Sequence, residues 1–267
     1  MRVRFWGVRG SIAVSGGEFL RTGGNTTCLE VEHEGERLIL DGGTGLQALG
    51  NAIGSPTDAT LLFTHVHWDH IQGVPFFAPA FHPGSHLRFV GVPGLREALD
   101  AQMRPPQFPV TLDTFKAKLD FVETVPGNTL HVGPFAIDAA EMTHPNGVLC
   151  WRVTAGGRSL VFATDVEHGA SLDPRLLRFA EGADLLVHDA QYTEREYAGD
   201  DGPCRRGWGH STWEQAVAAA RSAGVGRLGL FHHDPTRTDN QVSVIESIAG
   251  DRYTGTFAAR EGSVVSL

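Results

Sequence analysis

An α/β fold, with two β-sheets packed face to face and helices outside them, is what this sequence predicts. Strand-like apolar runs recur along the whole chain, and helical signals fall between the later runs. No Pro/Ser-rich linker, charge block or low-complexity segment divides the 267 residues, so a single domain spanning 1–267 is expected. The runs lie at 2–8, 27–33, 37–41, 59–64 and 86–91, then at 134–142, 148–154, 159–163, 184–188 and 227–231. The early runs read as hairpins and the later ones as alternating with helices.

The first helix is expected between Gly94 and Met103. A second follows Asp173, an N-cap residue placed before Pro174 at the first helical position. A third opens on the capping box Ser211-Thr-Trp-Glu214 and runs through Ser222 towards Gly224. The 33 glycines suit many tight turns at strand ends, and a hydrophobic fraction of 41% is ordinary for a packed core.

Composition narrows the function classes. The net charge of −9, with only 22 basic residues, gives little of the counterion-releasing surface that long nucleic acids require. A small anionic substrate is the expected partner. No run approaches the ~20 apolar residues of a membrane span, and the amino terminus shows no secretory signal pattern. Cys28, Cys150 and Cys204 are odd in number and widely spaced, as for reduced thiols in a cytoplasm. A homodimer is compatible with the sequence.

The most informative segment runs from Leu61 to Gly73. An apolar run ends in His65, His67, Asp69 and His70. Imidazole and carboxylate are the side chains that hold zinc and similar divalent ions. On extended backbone His65 and His67 share a side, and Asp69-His70 follows as the chain turns. One segment can therefore serve two adjacent metals. Three further residues each end a strand-like run: His144, Asp165 and His232. Singly they are weak signals. Together the seven make a specific set.

These motifs, with the turn at Asp41-Gly42-Gly43-Thr44-Gly45, resemble the metallo-β-lactamase superfamily over nearly the whole chain. The ribonuclease Z and phosphodiesterase branch is the most similar. Leu185 to Gln191, with His188 and Asp189, resembles its His-Glu-Ala-Thr segment, and Gly209-His210-Ser211-Thr212 its His-Ser-Thr segment. The chain departs from the pattern at Asp189, where Glu is usual, and at Gln191, where Thr is usual. Phe5 to Ser11 and Thr22 to Thr27 resemble a bacterial subgroup whose substrates include cyclic nucleotides.

The resemblance implies a four-layer αββα sandwich with the site at one edge of the sheets. It implies that His65, His67 and His144 hold one divalent ion, that Asp69, His70 and His232 hold another, and that Asp165 bridges them. Zinc is the first expectation, because five of the seven residues are imidazoles; manganese or iron would suit the carboxylates. Such a pair clamps a phosphodiester and supplies a bridging hydroxide as nucleophile. The resemblance further implies His210 as general acid, oriented by Asp189, while Asp69 could also accept a proton.

The expected activity is hydrolysis of a small cyclic or nucleotide-like phosphodiester. A ribonuclease Z-type tRNA 3′-endonuclease and a non-phosphoester hydrolase (thioesterase, lactonase or β-lactamase) are the alternatives. Two substrate-binding candidates come from the residues themselves. Arg9, in the turn after the first run, could contact a phosphate. Phe108, in the stiff segment Arg104-Pro-Pro-Gln-Phe-Pro-Val110, could stack on a base. Asp41 is expected to be structural, as is His188. His233 is left open, and His33, His82, His86, His131 and His168 are expected to be ordinary surface or packing histidines.

Overall fold

The chain begins with strands β1 (Arg2–Gly7), β2 (Cys28–His33) and β3 (Glu36–Leu40), followed by helix α1 (Gly45–Ile53), β4 (Asp58–Leu62) and the one-turn helix α2 (Trp68–Ile71). Next come β5 (His86–Gly91), α3 (Leu95–Gln102), β6 (Lys118–Glu123), β7 (Leu130–Val132), β8 (Phe135–Met142), β9 (Val148–Ala155) and β10 (Arg158–Ala163). The chain closes with α4 (Pro174–Ala180), β11 (Leu185–Asp189), α5 (Glu194–Ala198), α6 (Trp213–Ala223), β12 (Arg227–Phe231), α7 (Asp239–Arg252), β13 (Thr256–Ala258) and β14 (Val264–Ser266). This computed structural model describes all 267 residues.

The strands form two seven-stranded sheets, ordered β14-β1-β2-β3-β4-β5-β6 and β13-β12-β11-β10-β9-β8-β7. Each is built to one plan. An antiparallel meander (β1 to β3, and β7 to β10) leads into parallel strands (β3 to β6, and β10 to β13) reached through helical connections. The expectation of hairpins early and helices late is therefore corrected: the pattern occurs twice, once per sheet.

Side-chain alternation produces the layers. Leu38, Leu40 and Leu62 of one sheet face Leu160, Phe162, Leu185 and Val187 of the other in a shared core. Their neighbours Ile39 and Leu61 face outward onto Leu46 and Leu49 of α1 and Leu99 of α3. Val161, Leu186 and Leu228 face outward onto Leu176 of α4 and Trp213, Ala216 and Ala220 of α6. The result is the expected helix–sheet–sheet–helix sandwich. No helix is long and apolar enough to cross a membrane.

The α4 cap stands as read, with the Asp173 carboxylate accepting from Arg175 N. The α6 box is shifted by one residue: Thr212 caps with Gln215, and Ser211 Oγ instead donates to Val166 O.

Phe162 is fully buried between the sheets, edge-on to Phe231. Phe162→Ala should cost about 3–5 kcal/mol in denaturant unfolding; a loss below about 1 kcal/mol would mean that the two sheets do not share this core.

Candidate metal centre

Strands running in one direction deliver their C-terminal ends to one edge, in both sheets. Asp41 follows β3, the His65–His70 segment follows β4, and His144 follows β8. Asp165 follows β10, Asp189 ends β11, and His232 follows β12. Three of these residues have left-handed backbone: Asp41 (φ 60°), Asp165 (φ 55°) and His232 (φ 59°). Asp and His tolerate that conformation better than bulky or branched residues. Each such residue turns its side chain out of the pleat and onto the edge. Glycine makes the remaining room. A Cβ on Gly10 would lie 2.5 Å from the His232 ring, and one on Gly209 would lie 2.2 Å from His144 Nδ1.

The seven predicted residues come together as two adjoining clusters. One is His65, His67 and His144; the other is Asp69, His70, Asp165 and His232. Asp165 faces both. Its Oδ2 is 3.8 Å from His65 Nε2 and from His144 Nε2, while its Oδ1 is 3.2 Å from His70 Nε2 and from His232 Nε2. Asp69 Oδ2 lies 3.1 Å from His232 Nε2 and 3.3 Å from His70 Nε2, and accepts from Ser11 N.

The opposite nitrogens of these rings are held from outside. His70 Nδ1 bonds Asp41 Oδ2 at 2.8 Å, His144 Nδ1 bonds Gly209 O at 2.8 Å, and His232 Nδ1 bonds Gln191 Oε1 at 2.8 Å. His65 Nδ1 lies 3.0 Å from Thr64 Oγ1, which in turn donates to Asp41. Fixing one nitrogen aims the other, an arrangement common around metal-binding histidines.

Two features fit a divalent cation here. His65 Nε2 is buried without a hydrogen-bond partner, and His70 Nε2 makes no well-aligned one despite the Asp165 and Asp69 oxygens at 3.2 and 3.3 Å, although buried polar atoms are normally paired. Burial also holds the His65 imidazole well below its usual range, which leaves a neutral lone-pair donor. The second feature is charge. Asp41, Asp69, Asp165 and Asp189 are all buried, and their charged neighbours within 4 Å are histidines. Burial opposes charge on His70, yet Asp165, Asp69 and Asp41 outweigh it and drive its pKa well up. Cations bound at the two clusters would supply that positive charge instead.

A model described as a beta-lactamase superfamily domain matches residues 27–233. The chain belongs to the metallo-β-lactamase superfamily. Ribonuclease Z of Natronomonas pharaonis is 26% identical over an alignment that covers the whole chain and 98% of that protein. The metallo-β-lactamase fold protein YhfI from Bacillus subtilis superposes with a TM-score of 0.75 at 19% identity, covering 99% of this chain and 98% of its own. Zinc-bound PqqB from Methylobacterium extorquens superposes at 0.79 with 16% identity, covering both chains in full. The family and the clustered His and Asp residues make the chain a metal-dependent hydrolase of the ribonuclease Z and phosphodiesterase branch.

Beside the superfamily's metal-binding edge lies His210. Its Nδ1 bonds Asp189 Oδ2 at 2.8 Å, its ring stacks on His232 at 5.0 Å, and the side chain is almost fully buried. Burial opposes its charge, but the Asp189 carboxylate wins and raises the imidazole to about 9; cations at the adjoining clusters would pull it back. Asp189 is itself fixed by the backbone amides of Asp165, Gln191 and Ser211.

Arg9 is corrected. It is fully buried, and its guanidinium donates to the carbonyls of Gly23, Asp234 and Arg237, so it ties loops together and faces no substrate. Phe108 is half-buried. Its ring meets Phe76 edge-on at 5.9 Å and lines an apolar cavity of about 530 Å³ with Trp68, Ile71 and Phe76, so it both anchors its loop and offers a surface. His188 and His168 are buried and bonded to each other at 3.1 Å, and His233 bonds Ala259 O; all three are structural.

Sequence reading noted Gln191 only as a departure from the family pattern and missed Thr64 and Glu167. Glu167 accepts from Tyr197 Oη, Gly207 N and Gly209 N, and so braces the loop that carries His210. Only its position two residues after Asp165 hinted at a role. Glu167→Ala should raise amide exchange at Gly207 and Gly209 by about tenfold or more, as expected for losing charge-assisted hydrogen bonds of ~1.5–3 kcal/mol. Unchanged exchange would show that the loop is held by other contacts.

Proposed function

We propose that residues 1–267 act as one dinuclear phosphodiesterase domain on a small nucleotide-like or cyclic diester. The observation that carries this reading is the Asp165 carboxylate, which turns one oxygen to each cluster with the His210–Asp189 pair alongside. His65, His67 and His144 would hold one ion; Asp69, His70 and His232 would hold the other. Zinc is our first choice, for the imidazole-rich donors and for the zinc-bound relative of the same fold, with manganese or iron as alternatives. When bound, the ions supply Lewis acidity towards phosphoryl oxygens and a water of lowered pKa.

The protein's own residues do the rest. Asp189 holds His210 through Nδ1, leaving Nε2 to give a proton to the leaving oxygen. Asp69 offers a carboxylate oxygen that can accept a proton from attacking water. Val66 and Trp68, on either side of His67, form one wall of the Phe108 cavity, where a flat group such as a nucleobase would sit.

The second reading, a ribonuclease Z-type endonuclease, is favoured by the full-length alignment with ribonuclease Z. It shares the chemistry and differs in substrate size. Against it stand the net charge of −9 and the compact segment between Asp165 and His210, which α4, β11 and α5 fill without a long projecting arm. Turnover of bis-p-nitrophenyl phosphate, cyclic AMP, cyclic 2′,3′-phosphates and a tRNA precursor should be measured side by side. Our reading expects the small diesters to dominate; preference for the tRNA precursor would replace it with the second.

Purified protein should hold about two metal ions per chain, as two-metal sites do, and Asp165→Ala should deplete both. Full metal content and activity in that variant would overturn the assignment. His210→Ala should lower turnover by about 10²–10⁴ with metal content retained, as for loss of a general acid. The loss should shrink for a good leaving group such as p-nitrophenolate. Equal losses for good and poor leaving groups would remove the acid role.

A further inference from the structure

A cleft of about 330 Å³ is lined in part by His210. Its walls include Gln191, Tyr192, Arg205, Trp208 and the carboxylate-bearing Asp234. Arg205 is the one guanidinium lining it, beside the His210 imidazole. The guanidinium lies over the Tyr192 ring, 4.8 Å from its centroid, and its nearest carboxylate oxygen is Asp234 Oδ2 at 3.9 Å. That distance is beyond a hydrogen bond, and the Arg205 side chain makes none within the chain. Asp234 Oδ1 accepts from Thr236 N and Oγ1, which leaves Oδ2 as the oxygen facing Arg205. An arginine that lies over an aromatic ring, makes no hydrogen bond and has only one loose carboxylate neighbour can receive a planar or tetrahedral oxyanion.

The loop around it is well held. Trp208 N donates to Arg205 O, Arg205 N donates to Tyr197 O, and Glu167 fixes Gly207 and Gly209. Trp208 is 51% exposed and stands two residues before His210, so a flat ring lines the cleft together with the Arg205 guanidinium.

We propose that this cleft is a subsite for a phosphate group carried by the leaving fragment of the substrate, with Arg205 as its anion-binding residue. The inference rests on the phosphodiesterase reading, in which His210 protonates the leaving oxygen. The fragment bonded to that oxygen must then extend past His210, and the adjoining space is the Arg205 cleft. A cyclic mononucleotide has no second phosphate to place there. The preferred substrate is therefore a linear diester whose leaving alcohol bears its own phosphate, such as a nucleoside phosphate or a short oligonucleotide.

The test is binding to the metal-loaded protein, followed by calorimetry, of adenosine and of its 5′- and 3′-monophosphates. The tighter-binding monophosphate should exceed adenosine by about tenfold or more, as a charge-assisted pair allows. Arg205→Gln should remove most of that advantage, and Arg205→Lys should restore part of it by keeping the charge without the fork. In turnover, Arg205→Gln should cost about tenfold more for a phosphorylated dinucleotide than for bis-p-nitrophenyl phosphate, as expected for one lost charged contact. If Arg205→Gln folds with an unaltered melting temperature and keeps the monophosphate affinity within roughly twofold of the parent, a change below ~0.5 kcal/mol, the subsite is refuted. The two readings separate cleanly. Arg205-dependent binding in a protein that hydrolyses no diester would sink the phosphodiesterase assignment and keep the subsite, and diester hydrolysis with Arg205-independent binding would do the reverse.

Discussion

Four aspartates, Asp41, Asp69, Asp165 and Asp189, are buried along one edge of the sandwich, with imidazoles as their charged partners within 4 Å. Buried carboxylates are costly unless positive charge and hydrogen bonds compensate them. The rest of the active edge follows from that constraint. Imidazoles surround the carboxylates because a neutral imidazole can share a cation with them. Backbone amides of Thr64, Ser11, Gln191 and Ser211 point at carboxylate oxygens. Two imidazole nitrogens are left without a well-aligned hydrogen bond at the centre. An edge assembled this way is complete only when divalent cations occupy it.

The fold makes the convergence possible. Both sheets send strands in one direction to a common edge, and the last residue of a strand, or the first beyond it, carries the functional group. Left-handed backbone at Asp41, Asp165 and His232 redirects those groups from the pleat to the edge. Strain of this kind persists only where surrounding structure enforces it, and it concentrates at functional sites. Close packing of Gly10 and Gly209 against His232 and His144 leaves no space for the rings to drift. The metal-binding segment is also two-sided. His65, His67, Asp69 and His70 serve the clusters, while Val66, Trp68 and Ile71 line the apolar cavity next to Phe108. The clusters and the apolar cavity thus draw on one short stretch of chain.

Much of this was legible in the sequence, for identifiable reasons. The ten strand-like runs expected from the sequence all became strands, because each carries enough apolar residues to show a period. Strands β7, β13 and β14 are three residues long and show none. Strand β6 went unread because its side chains are only partly buried. Helices α5 and α7 each open on a Thr-x-x-Glu/Gln box, Thr193 with Glu196 and Thr238 with Gln241, a signal present but passed over. All seven metal-site candidates meet, since His and Asp at strand ends have few other reasons to cluster. Arg9 misled because a basic residue near a site reads as an anion contact, whereas three backbone carbonyls claim it. The roles of Gln191 and Glu167 were invisible because their work is to position other groups, which no residue type announces. Arg205 was hidden similarly: the role proposed for it depends on which cleft the loop after α5 encloses.

The claim at the centre of this account is that Asp165 joins two ions into one site. Anomalous diffraction at the absorption edge of the bound metal, from crystals of the loaded protein, tests it most directly. The account requires two peaks roughly 3.5–4 Å apart, one among His65, His67 and His144, the other among Asp69, His70 and His232, with a carboxylate oxygen of Asp165 on each. A single peak at full loading, or two peaks with Asp165 bound to only one, would contradict it.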